Sequence, residues 1–187
     1  MQIKRISVEY QTQINDYQQK DIVFFLSLIN KILQSVMRLE IYGANKLNFA
    51  EFNISGDGET IQRCDKDSLY MDAELFNLFS ECFESSNNLY DYFGPTKYNA
   101  RHIIVLLNSL KANVDKITKI DSFEGFVDFA GSKFLGSGFV MEIEKIDKNW
   151  QLNWQQYKQK LISINQQLIN LINRCVEEER ILWLIGY

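Results

Sequence analysis

The sequence predicts a mainly α fold, a bundle of about five helices, with room for one small strand pair and an α+β arrangement as the second reading. Three observations carry this. The 187 residues contain one proline, Pro95, so little interrupts long helices. Apolar residues recur at steps of three and four in most segments. The last long segment keeps heptad-like spacing for three heptads. No linker or internal repeat divides residues 1–187, so a single domain is expected.

A first helix is expected from between Thr12 and Asp21 to about Ile41, ended by Gly43. Its stripe is Ile22, Phe25, Ile29, Ile32, Val36 and Leu39. Lys31 and Arg38 argue against a membrane span there, because each would cost roughly 2.5 kcal/mol or more in hydrocarbon. Leu47 to Ile54 reads as a short strand with a slip in phase, closed by the turn at Ser55-Gly56-Asp57-Gly58. A second helix begins near Ser68 to Asp72, with Leu75, Phe76, Phe79, Cys82 and Phe83 on its apolar side. Ser85 to Asn88 breaks it. Leu89 to Pro95 follows as an aromatic loop.

Pro95 fits the start of a third helix, which carries Ile103, Leu107, Leu110, Val114 and Ile117. Asp121 or Ser122 can cap a fourth, with Phe123, Phe126, Val127 and Ala130, closed by Gly131. Gly136-Ser137-Gly138 reads as a turn. Phe139, Met141 and Ile143 then alternate with Val140, Glu142 and Glu144, which is strand periodicity. The strand pair would join Leu47–Ile54 to Phe139–Ile146. The final helix carries Trp154, Tyr157, Leu161, Ile164, Leu168, Leu171 and Cys175. Its flanks are apolar or amide-bearing rather than charged, which favours packing within the chain over a dimer seam. A monomer is expected, or a weak homodimer through residues 150–180.

Catalytic chemistry finds little support. His102 is the only histidine, so zinc and di-iron patterns fail for lack of ligands. Asp65-Lys66-Asp67 opens like a calcium loop, but Tyr70 stands where glycine is needed and Phe76 where glutamate is needed. Gly136-x-Gly138 and Gly56-x-Gly58 lack the third glycine of a dinucleotide loop. His102 lies between Arg101 and an apolar run, which fits a structural residue better than a general base. No cofactor is implied, and no catalytic residue is assigned. Scattered Lys and Arg disfavour nucleic acid. Cys64, Cys82 and Cys175 form no metal or disulfide pattern and fit a reducing cytoplasm. Met1 to Tyr10 lacks the apolar run of a signal peptide.

The charge pattern is the functional signal. Asp57 to Asp91 holds nine acids against two bases, a net −7 in a chain whose total is −4. That block ends in aromatic residues. Acids beside exposed Tyr and Phe would steer and hold a basic protein partner. The expected docking residues are Asp57, Glu59, Asp65, Asp67, Asp72, Glu74, Tyr90, Asp91, Tyr92, Phe93 and Tyr98. The expected function is that of an acidic inhibitor, like the immunity proteins that neutralise bacterial toxins by occlusion, although no motif identifies a family. Two alternatives remain: a ligand-binding or enzymatic domain with an aromatic-lined pocket near Arg101 and His102, and a structural protein that self-associates through its last helix.

Overall fold

In the computed structural model the described residues are 37–43, 50–55, 59–61 and 63–186. Packing divides the chain into Met1–Val36, which lies outside the described residues, and Met37–Tyr187, the unit described below. That unit is α+β: six helices and a five-stranded antiparallel sheet among the described residues. This corrects the expectation of a bundle with a minor strand pair.

The elements run β1 (Tyr42–Gly43), β2 (Ala50–Asn53), β3 (Leu69–Met71), α1 (Ala73–Phe76), α2 (Ser80–Ser86), β4 (Pro95–Tyr98), α3 (Ala100–Thr118), α4 (Phe123–Gly131), α5 (Gly136–Ile146), α6 (Trp154–Glu177) and β5 (Leu182–Ile185). The sheet order is β1-β3-β2-β5-β4. Register pairs Tyr42 and Glu51 with Tyr70, and Phe52 and Thr96 with Leu184. The chain's last described strand therefore lies inside the sheet, between β2 and β4. It joins segments far apart in sequence, so its pairing carries a large loop-closure entropy.

An aromatic cluster fastens sheet to helices. Phe52 of β2 meets Phe76 and Phe83, with ring centroids 6.1 and 5.8 Å away. Phe83 stands edge-on to Tyr98 of β4 at 5.8 Å. The fully buried Tyr98 hydroxyl donates to the Phe83 carbonyl at 2.9 Å, which satisfies an orphan carbonyl near the end of α2. Such edge-on pairs add about 0.5–1.5 kcal/mol beyond their buried area.

The helices follow their stripes. α3 is capped by Asn99, whose Oδ1 accepts from the N–H groups of Arg101 and His102. α4 is capped by Ser122, which accepts from the Gly125 N–H at 3.1 Å. α6 packs along α3, and of its expected stripe all but the half-buried Trp154 is buried. One polar tie crosses this seam. Asn113 Nδ2 donates to Asn165 Oδ1 at 2.9 Å, and Asn165 Nδ2 donates to the Leu110 carbonyl at 2.9 Å. Both side chains are buried. Replacing Asn165 with alanine removes two bonds and strands the Asn113 amide. The expected loss is about 2 kcal/mol, read as a lower urea midpoint at unchanged slope. Replacing both asparagines with leucine should recover part of it, because no polar group is then left unpaired.

Several expected elements are corrected. Met37–Ile41 is not helical, and Tyr42–Gly43 is strand. The rest of the proposed first helix lies outside the described residues. The second helix is two short helices broken at Asn77–Phe79, though its whole apolar stripe is buried. Leu69–Met71 pairs as strand instead of opening that helix. Pro95 starts β4, not a helix. Its missing N–H is tolerated there because β4 is an edge strand of the sheet. Phe139–Ile146 belongs to helix α5, not to a strand. Phe139 and Ile143 are buried, four residues apart, while Met141 is 57% exposed. The helical period therefore overrides the alternation.

Candidate functional site

A surface groove of about 550 Å3 lies between α1, the aromatic loop before β4, and the turn that joins α4 to α5. Its walls are Ala73, Glu74, Asn77, Tyr92, Phe93, Phe134, Leu135, Ser137, Gly138 and Met141. Phe93 is 71% exposed, and Phe134, Leu135 and Met141 are each more than half exposed. Scattered apolar residues on a surface are ordinary, but here four large ones gather around one depression.

Local chemistry builds this groove. The Asp91 side chain accepts the Phe93 N–H at 2.9 Å and closes a tight turn that turns Phe93 outward. The Asp91 N–H donates to Thr96 Oγ1 at 2.9 Å and ties the loop to β4. The Tyr92 hydroxyl donates to Asn77 Oδ1 at 2.6 Å and joins the loop to the end of α1. The Tyr92 ring stands between Phe93 and Phe134, edge-on to each, with centroids 5.0 and 5.1 Å away. Behind the loop, the Tyr92 carbonyl lies against Gly186, where an added Cβ would be only 2.1 Å from that oxygen.

The opposite wall is strained. Leu135 has φ 53° and ψ 21°, the left-handed region that costs a leucine roughly 1 kcal/mol. It is also 56% exposed, so no core burial offsets the strain. Strain of this kind persists where the surroundings over-determine the backbone, and functional surfaces are where it concentrates. Gly136 follows, and its backbone passes close to Ala130.

The structure sorts the expected docking residues. It brings together Glu74, Tyr92 and Phe93, with Asp91 shaping their loop. Glu59 is exposed and lies 3.9 Å from Lys97 Nζ. Asp65 is half-buried and forms a turn by accepting the Asp67 N–H at 2.8 Å, and Asp67 is exposed. Asp57 lies outside the described residues. Two residues are placed inside. Asp72 is buried, in an ion pair with Arg38 at 2.9 Å. Tyr98 is in the core, where burial pushes its phenol well above the ordinary range. Tyr90 packs against the core with its hydroxyl buried, and burial raises its phenol too.

Phe134, Leu135 and Met141 are groove residues absent from the expected set. A signal for two of them exists: Phe134 and Leu135 are adjacent large apolar residues in the short gap between Gly131 and Gly136. Glu74 is the only charged residue in the lining, and its carboxylate has no hydrogen bond or ion pair among the described residues. Nearby acids are already engaged. Glu81 pairs with Lys133 and Glu142 with Lys145, and Lys133 holds the Glu81 carboxyl below its usual range.

A second cavity, of about 500 Å3, opens beside the start of α3. Ile103, Ile104, Val176 and Ile181 line it with Arg180, and neither Arg101, His102 nor any aromatic ring takes part. His102 is half-buried, and its Nδ1 has no hydrogen-bond partner among the described residues. Among the described residues no cluster of three or more His, Cys, Asp or Glu could hold a metal ion. No helix among them is long and apolar enough to cross a membrane. No known protein family matches the chain, and neither the curated proteins nor the solved structures contain one similar to it.

Proposed function

We propose that this protein is a non-catalytic binding module that holds a basic protein partner in the cytoplasm. Its most specific form is an immunity-type inhibitor that acts by occlusion. The observation that carries this reading is the groove. Three residues of the acidic, aromatic segment, Glu74, Tyr92 and Phe93, converge there with Phe134, Leu135 and Met141. Apolar anchors supply affinity when a partner covers them, about 1.5–3 kcal/mol for each large side chain fully buried. The surrounding acids supply steering and a fast approach for a cationic surface.

The test uses the full chain to isolate its partner from the source organism, followed by measurement of the purified pair. Phe93→Ser with Met141→Ser should lower stability by about 1 kcal/mol at most, the edge-on contact of Phe93 with Tyr92, because both side chains are mostly exposed. The same change should weaken affinity by roughly tenfold or more, equal to about 1.4 kcal/mol. The association rate should also fall steeply as salt rises. A pair whose affinity ignores the double substitution, or whose association ignores ionic strength, would contradict the proposal.

A further inference from the structure

Building on that reading of the groove, we propose that its occupant is an arginine side chain set between apolar residues of the partner. Glu74 carries the argument. It is the one charged group in a largely apolar and aromatic lining, and among the described residues nothing neutralises it. Its Cγ lies 3.7 Å from where a Cβ on Gly138 would be, so the side chain extends over the groove toward α5. Lys133 directly precedes Phe134 of the groove wall but is committed elsewhere. It pairs with Glu81, and its Nζ lies 5.1 Å from the Phe129 ring centroid.

A wholly apolar occupant would strip water from the Glu74 carboxylate and leave it unpaired, which is unfavourable. The groove therefore selects against grease as much as it selects for charge. A cation resolves this. Arginine does so better than lysine, because its planar fork matches a carboxylate and its face stacks on aromatic rings. Phe93 and Phe134 offer such rings, both more than half exposed.

The experiment titrates the 15N-labelled full chain with two blocked tripeptides, leucine-arginine-leucine and its neutral isostere leucine-citrulline-leucine. Amide shifts at Leu135, Gly138 and Met141 report on the groove. The arginine peptide should bind there roughly tenfold more tightly than the citrulline peptide, and Glu74→Gln should abolish that preference. Equal binding of both peptides at the groove would overturn the arginine assignment while leaving apolar docking intact. A preference that survives Glu74→Gln would overturn it as well. Failure of both peptides to move the groove resonances would count against both the assignment and the docking face.

Discussion

Replacing Gly136 with alanine is expected to remove on the order of 3 kcal/mol of stability and to disorganise the groove with it. An added Cβ would be 1.7 Å from the Ala130 carbonyl oxygen and 2.8 Å from its carbon. Both atoms are backbone, so no rotamer change relieves the clash. The chain between Ala130 and Gly136 must move, and that stretch carries Phe134 and Leu135. Urea unfolding reads the stability loss as a lower midpoint. A loss under about 1 kcal/mol would show that the turn yields easily, contrary to this packing. Leu135→Gly separates the two roles of the turn. It relieves a left-handed leucine and should hold or raise stability by up to about 1 kcal/mol. It should nonetheless weaken docking, because it deletes an exposed anchor.

Asp72→Ala should cost about 3 kcal/mol, because it removes one partner of a mostly buried ion pair. The Asp72 carboxylate accepts the Arg38 backbone N–H at 2.5 Å, Arg38 Nη2 at 2.9 Å and the Tyr42 hydroxyl at 2.6 Å. The Arg38 guanidinium also lies over the Tyr42 ring, 4.0 Å from its centroid. Burial, with the Asp72 carboxylate beside it, raises the Tyr42 phenol above its ordinary range. Removing Asp72 should therefore lower that phenol as well as the unfolding midpoint. Docking by the folded fraction should be unchanged, since Asp72 is 3% exposed. A variant as stable as the parent but poorer in partner affinity would return Asp72 to the docking face.

The contrast between Asp72 and Glu74 shows where the sequence was readable and where it was not. Both are acids in the same block, two residues apart, yet one is buried and the other lines the groove. What separates them is Arg38, 34 positions earlier in the chain, and spacing along a sequence carries no sign of such a partner. The helices α3, α4 and α6 declared themselves because their burial repeats locally. α6 kept its stripe from Tyr157 to Cys175, and α4 kept the Ser122 cap. The sheet did not, because its strands are two to four residues long and pair across long intervals. Thr96 meets Leu184, and neither segment alternates for long enough to show a period. In α5 the alternation of Phe139, Met141 and Ile143 imitated a strand because Met141 serves the groove instead of the core. The aromatic loop was legible from its composition. Its partner wall, Phe134 and Leu135, left a trace as adjacent apolar residues in a turn, but that trace acquires meaning only beside Tyr92.

The groove is the centre of this account, and side-chain footprinting of the complex tests it most directly. Hydroxyl radicals oxidise exposed Phe, Leu and Met, so Phe93, Phe134, Leu135 and Met141 report on their own coverage. Bound partner should protect all four together and leave Ile104 and Val176, beside the second cavity, as reactive as in the free protein. Protection of Ile104 and Val176 with the four groove residues still open would contradict the account.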